Sequence, residues 1–389
     1  MADTHKDLKQ VQQWWKDKAQ SNEHLRGLQR EIDKVLQETT LENMKERISY
    51  LGCNDADPEL SDSLRYLRCN FAIADAIAMK YKDSATNGAK WIANFVALSA
   101  TGIWAFQNGK TIAKEAPVIL GELNLVQLAG LICLILFTLL SFLSRWRFQR
   151  LRNKFLTART LAEVLRVDFF QQLNGSGFNT LQILKDHLPE SDDHSLIPIA
   201  FAEVQKCCDL PGVESHQPHP NSIAWTKKHW LKDQSKWFGD KVPLEAAAAA
   251  LTETRLSQCF LLTGIAVVGS LATLVAPDVL EFPLIRSWLE VEKTATKEAL
   301  NLPRMLFDLL FPILGICSAF FHQKSAGHAI TAQKYRQAHL SIENAIKETE
   351  NAAPDVAIKV FERLAHSAIA ETADWGAHQR EQSKHIAFR

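Results

Sequence analysis

The stretch from Trp225 to Lys241 interleaves cations with rings: Trp225, Lys227, Lys228, His229, Trp230, Lys232, Lys236, Trp237, Phe238, Lys241. Lysines in that pattern can neutralise phosphates while tryptophan faces stack on bases, the chemistry of a nucleotide or single-stranded oligonucleotide site. The same residues suit a helix lying on anionic lipid with Trp at the interface. They also suit Trp faces packed inside a helical bundle. A second basic group, Arg145, Arg147, Arg150 and Arg152 with Lys154, directly follows an apolar run. It offers further phosphate contacts, and it also reports which side of a membrane the chain has reached.

A carboxylate, Asp308, lies within the apolar run 305–321. A membrane carboxylate is costly and by default marks a functional path. In an oligomer, a ring of Asp308 would favour cations at an outer mouth; a place near the headgroups would make it merely interfacial. Pro312 predicts a bend in the same helix. Asn94, Ser99 and Thr101 in another run either line a pore or bond neighbouring helices. Gly264, Gly269, Gly315 and Ala319 predict close helix approach.

Enzyme signatures do not occur: there is no Walker loop, GxGxxG, HExxH or GxSxG. The 7 Cys include no CxxC spacing, which argues against a disulfide framework and a zinc site. His216 and His219 flank Pro218, and the nearest further ligands, Cys207, Cys208 and His229, fit no familiar finger. Asp192-Asp193-His194 reads as a polar turn. The expectation is a protein that is not an enzyme and needs neither cofactor nor metal.

These residues sit in a chain of 389 residues, 47% apolar and 23% charged, with Lys+Arg and Asp+Glu both 44. The zero net charge excludes a histone-like or polyanionic chain, and 16 Gly with 13 Pro are too few for extensive disorder. The polar N-terminus has no signal-peptide core and no transit-peptide bias. The apolar residues are bunched into 91–107, 123–144, 259–276 and 305–321. Run 123–144 has no charge, and at ~1.5 Å per residue it crosses a ~30 Å hydrocarbon core. The other runs are shorter, but they pair as hairpins. The basic residues after run 123–144 place that side in the cytoplasm. Four crossings then leave both termini cytoplasmic and put the 277–304 loop outside, although Arg286, Lys293, Lys297 and Arg304 accompany its acids.

The expected class is all-α, an integral membrane protein with four transmembrane helices as two hairpins and long cytoplasmic helical extensions. Residues 1–60 form N-terminal cytoplasmic helices. Residues 61–173 form a helix, the first hairpin (91–107, 123–144) and a helix. Residues 174–257 form a cytoplasmic helical region, and 258–389 the second hairpin (259–276, 305–321) with C-terminal helices. Leu25, Leu28, Ile32 and Val35 are spaced as a short coiled-coil seam or a bundle face. Thr39-x-x-Glu42 predicts a capping box for a helix that stops near Gly52. A helix over 63–86 is expected to break around Asn87-Gly88, and Asn174-Gly175-Ser176-Gly177 to end another. The pattern Lys154-Phe155-x-x-Ala158-x-x-x-x-Glu163 returns as Lys334-Tyr335-x-x-Ala338-x-x-x-x-Glu343, and Tyr81-x-Asp83 is echoed by Phe238-x-Asp240. The repeat predicts one unit, helix–hairpin–helix, used twice.

The stretch Trp230-Leu231-Lys232-Asp233-Gln234-Ser235-Lys236-Trp237-Phe238, the Ala-rich helix, the hairpin, Lys334-Tyr335 and Glu371-x-x-x-Trp375 together resemble the bacterial SLATT superfamily. The resemblance covers 225–385, and 60–170 as architecture only; the N-terminal helices and the tandem crossings depart from the minimal unit. It implies a pore-forming effector of anti-phage defence in the inner membrane. It further implies a homo-oligomer, a tetramer among the options, controlled by a nucleotide or single-stranded oligonucleotide from a partner nucleotidyltransferase. Ligand identity, the sense of gating and the pore-lining helix stay open. A non-conducting membrane scaffold that recruits a partner through the 22–38 seam is the rival, and a small transporter is a third reading.

Overall fold

The computed structural model describes residues 2–53, 60–112, 118–120, 123–188, 192–208, 221–280 and 293–385. The loop holding His216 and His219 and most of the expected outside loop lie beyond the described residues, as do the side chains of Asp192-Asp193-His194 and Trp375. In chain order the helices are α1 (Ala2–Ser21), α2 (Arg26–Glu38), α3 (Leu41–Ser49), α4 (Asp62–Ile112), α5 (Leu125–Leu173), α6 (Thr180–His187), α7 (Asp192–Cys208), α8 (Ser222–Thr226), α9 (Asp233–Leu280), α10 (Lys293–Thr349) and α11 (Pro354–His385). A 3-10 turn, Glu23–Leu25, joins α1 to α2, and a π-helical turn, Lys227–Lys232, joins α8 to α9. The class is all-α, with one exception that no alternating pattern announced. Two short antiparallel strands, β1 (Val118–Leu120) and β2 (Leu123–Asn124), pair just before α5.

The chain divides into two compact units: Met1–Thr86 with Gln149–Lys241 and Lys334–Arg389, and Asn87–Phe148 with Val242–Gln333. The first unit holds the core. Leu8, Val11 and Trp15 come to one face of α1 at helical spacing, and Trp15 Nε1 donates to Asn70 Oδ1 at 2.8 Å. Phe169, Phe170, Phe201 and Phe361 are fully buried. Leu25, Ile32 and Val35, the expected seam, are 0%, 1% and 1% exposed, so the bundle-face reading of α2 is the one realised. Antiparallel contacts join α4 to α5 here, through Ser63 with Gln172, Asp75 with Arg159 and, by cation–π contact, Tyr81 with Lys154.

Two local expectations change. The cap of α3 is Thr40, whose hydroxyl accepts from the Asn43 amide at 3.3 Å; Thr39 instead ends α2, so the capping box is one residue out of phase. The break at Asn87-Gly88 does not occur, because α4 runs unbroken through it. A Cβ on Gly88 would enter the ring of Phe148, so this glycine serves a close approach rather than a turn. The end of α5 follows expectation. Gly175 takes φ 65°, Ser176 N donates to Gln171 O at 3.0 Å and Gly175 N to Gln172 O at 3.0 Å, the paired bonds of a Schellman end.

In the second unit α4 and α5 continue as antiparallel partners, through Gly88 with Phe148, Phe95 with Phe137, and Ser99 with Thr138. The other helix pair behaves alike: Glu245 meets His328, Ala249 meets Ser325, and Ser270 meets Asp308. Both pairs are antiparallel helix hairpins, the architecture that the internal repeat predicts. Among the described residues, three helical stretches are long and apolar enough to cross a membrane: Leu125–Leu173, Ser222–Ala272 and Met305–Thr349. Their apolar windows are only 11%, 11% and 12% buried, which a soluble core helix could not be. Phe142, Leu261 and Val268 are 66%, 67% and 67% exposed. Such contiguous outward-facing apolar surface is that of a membrane-embedded protein.

Candidate functional site

Three helices of the membrane unit converge on a cleft of about 590 Å³. Trp104, Gln107 and Asn108 share one face of α4 at helical spacing, Ser270 comes from α9, and Asp308 from α10. Ser270 Oγ donates to Asp308 Oδ1 at 2.9 Å. Trp104 Nε1 donates to the Met305 carbonyl at 2.8 Å, and Asn108 Nδ2 donates to the Trp104 carbonyl at 3.0 Å, so the indole is fixed as a wall. Pro312, also in the lining, brings no N–H to the Asp308 carbonyl one turn earlier. Asp308, itself exposed, lines this cleft together with Ser270, Gln107, Asn108, Trp104 and Phe307.

The other expected path residues lie elsewhere in this unit. Asn94 is exposed. Ser99 Oγ donates to Phe95 O at 3.0 Å and accepts from Thr138 at 3.3 Å, and Thr101 donates to Ala97 O at 3.1 Å. Ser99 therefore bonds the neighbouring helix. The glycines predicted for close approach also differ. Added Cβ atoms at Gly264 and Gly315 meet nothing within 4 Å, and one at Gly269 meets the Phe307 ring. The tight crossing is at Gly102 and Gly130. A Cβ at Gly102 would lie 2.7 Å from Leu134 N, and one at Gly130 2.5 Å from Phe106 N. One turn on, Asn124 and Gln127 cap α5 reciprocally, Gln127 N to Asn124 Oδ1 at 2.8 Å, while Asn124 Nδ2 ties back to Gly109 O at 2.8 Å.

In the basic-aromatic stretch Trp230 is buried and Trp225 and Phe238 half-buried, while Trp237 stays 37% exposed. Trp230 is 3% exposed and stacks on Phe170 at 5.6 Å with an interplanar angle of 5°. Trp225 Nε1 donates to Leu51 O at 2.9 Å, next to Gly52 (φ 76°), where a Cβ would strike the His229 ring. Trp237 meets Tyr335 at 5.3 Å with Lys241 over its ring at 5.9 Å, and Lys227 bonds the Thr349 carbonyl. Packing is thus what the buried indoles do. Lys228, Lys232 and Lys236 point outward in a row. The π turn is wider than an α turn and brings the three closer to one line than a regular helix would. Arg147 and Arg150 are exposed, and Arg145 and Arg152 are partly covered. Burial lowers the Arg152 guanidinium below its ordinary value.

Elsewhere in the first unit a chain of ion pairs links Arg47, Asp75, Arg159, Glu163 and Arg166. Burial works to raise the Glu163 carboxyl, but Arg159 and Arg166 outweigh it and hold it below its ordinary value. Burial also depresses Arg166 itself. Lys154 Nζ meets Glu31 at 2.6 Å, and burial with the Tyr81–Glu31 hydrogen bond drives the Tyr81 phenol up. Among the described residues no cluster of His, Cys, Asp or Glu could hold a metal ion.

Fold and site together define the class: an all-α, membrane-embedded protein with a carboxylate-bearing cleft among its apolar helices and an exposed lysine row on its first unit. No protein-family model, no curated protein and no solved structure matches the chain. The sequence signals for the cleft, Trp104-x-x-Gln107-Asn108 and Ser270, were present, but Trp104 and Met305 lie far apart in the chain and no local pattern joins them.

Proposed function

We propose that the protein is a homo-oligomeric pore-forming or membrane-disrupting effector of a bacterial anti-phage system, gated by a nucleotide or oligonucleotide from a partner nucleotidyltransferase. The observation that carries the reading is Asp308 in its cleft, a carboxylate set among helices whose apolar faces turn outward. In an oligomer this carboxylate concentrates cations at the outer mouth. A fourth crossing, 91–107, belongs to the reading, because α4 lies along the apolar part of α5 from Gly88 to Gly109. The cytoplasmic termini follow from the arginines after run 123–144, and the inner membrane from the SLATT likeness. The ligand surface is the row Lys228, Lys232, Lys236, with exposed Arg147 and Arg150 as further cations. The defence setting rests on the SLATT likeness. Ligand binding shifts a two-state equilibrium of the helices that carry both the cationic and the membrane residues.

The scaffold rival loses its docking seam, since Ile32 and Val35 of α2, with Leu25 of the preceding turn, are buried in the core of their own unit. The test is ion flux from liposomes carrying the full chain, with and without oligonucleotides and cyclic nucleotides. Leakage that responds to a nucleotide supports the reading; verified insertion with no leakage under any condition refutes conduction.

A further inference from the structure

We infer that the Arg147 end of the first hairpin is a binding site for an anionic phospholipid, its phosphate on Arg147 and an acyl chain along α5. Ile132, Leu136, Leu139 and Leu143 recur at helical spacing on one face of α5, and Arg147 follows one turn on. All five are exposed. An apolar stripe that ends in a cation is the complement of a lipid tail below a phosphate. The depth agrees. From Leu125 to Arg145 the helix rises about 30 Å at ~1.5 Å per residue with no charge between, the thickness of a hydrocarbon core. Arg147 therefore stands at headgroup level.

The partner helix supplies the rest of the setting. Gly88 of α4 packs on Phe148 and Ser99 bonds Thr138, so Lys90 and Trp91 stand level with Trp146 and Arg147. Trp91 and Trp146 are 60% and 55% exposed, amphipathic rings at the level where an interface places them. Trp91 is seated by stacking on Phe95 at 6.2 Å, and Phe95 stacks on Phe137 at 6.3 Å. The sign follows from composition. Within this unit the stretches 87–112 and 125–148 carry Lys90, Lys110, Arg145 and Arg147 and no Asp or Glu. The next charges along α4 and α5, Lys82, Asp83, Arg150 and Arg152, also sum to positive. The second hairpin differs, because Glu253 offsets Arg255 and Lys324 in part where run 259–276 begins. Cations gathered at one level select a lipid of net negative charge, since a choline or ethanolamine head would bring its ammonium against them. The inference rests on the membrane embedding of this unit, which the proposed function shares, but not on conduction. It assigns Arg147 to a lipid phosphate ahead of a soluble ligand.

The experiment counts lipids on the purified full chain by native mass spectrometry, with phosphatidylglycerol and phosphatidylcholine of the same acyl chains titrated into detergent. Wild type prefers phosphatidylglycerol for its first bound lipid by about fivefold or more, the worth of one cation near a membrane surface. Arg147→Gln brings the ratio to about one, and Arg147→Lys, which keeps the charge, stays within about twofold of wild type. Lys90→Gln gives a smaller loss. Arg255→Gln, at the second hairpin, leaves the ratio unchanged. Arg147 is exposed, and gel filtration with thermal unfolding confirms that each variant folds. An unchanged ratio in Arg147→Gln overturns the inference, as does a ratio that falls in Arg255→Gln instead. Adding a single-stranded oligonucleotide separates the two sources of phosphate. Phosphatidylglycerol that stays bound supports the lipid; its displacement overturns the assignment in favour of the soluble ligand. Flux measured on the same variants separates this claim from the pore. Lipid preference without flux removes the pore and leaves the site; flux without lipid preference removes the site.

Discussion

Replacing Lys228, Lys232 and Lys236 together by Ala tests the ligand surface without touching the core. All three are exposed, and the neighbouring Trp230 is 3% exposed, so the variants separate charge from packing. If each lysine meets one phosphate of a single strand, the row contributes about 2 to the slope of log affinity against log salt. Between 50 and 200 mM salt that term alone is worth about twentyfold in affinity. The triple variant should lose this salt dependence while its melting temperature stays near wild type, since surface changes cost within about 0.5 kcal/mol each. Trp230→Ala should do the reverse. It removes the ring stacked on Phe170 at 5.6 Å and should cost about 3–5 kcal/mol of stability. The assay is fluorescence anisotropy of a labelled oligonucleotide across a salt series, with thermal unfolding of each variant alongside. An unchanged slope in the triple variant would refute the lysine row as the phosphate contact.

Gly130→Leu should loosen the first hairpin, because the added Cβ alone would lie 2.5 Å from Phe106 N, and overpacking costs about 1–3 kcal/mol or more; Gly264→Ala, in open space, should be neutral or slightly stabilising in the same melts. Burial pushes the Cys69 and Cys207 thiols up to about 12 from an ordinary 9.0. Above pH 9 the unfolded chain releases protons that the folded chain keeps, so stability should fall by up to about 1.4 kcal/mol per pH unit for each thiol; urea melts from pH 8 to 10 check this, and a flat profile counts against it. Glu163 has a depressed pKa, so its contribution is present above the ordinary carboxylate range and fades as pH drops through the folded value; Glu163→Gln should flatten the acid limb of the melting-temperature profile.

Sequence pattern revealed the elements better than their contacts. The charge-free run 123–144 and the Asn174–Gly177 end are local signals, each satisfied within a few residues. Gly88 carries the same type of signal and misleads, because Phe148 fills the space its missing Cβ leaves. Thr39 and Thr40 are adjacent candidates for one cap, and only backbone geometry chooses between them. The tryptophans of 225–237 have the composition of a stacking platform; the rings that consume them, Phe170 and Tyr335, come from α5 and α10. Asp308 was visible as a costly residue, but Trp104, Gln107, Asn108 and Ser270 gain meaning only once three separate helices meet around it.

The π turn at Lys227–Lys232 has a mechanical consequence. It holds one residue of slack in a helix that otherwise continues to Leu280. Letting that slack out by re-forming an α turn would rotate everything downstream by about 100° about the helix axis. Trp230, within that turn, stacks on Phe170 of α5. Such a change would exchange the turn's i→i+5 hydrogen bonds for i→i+4 bonds beside the lysine row.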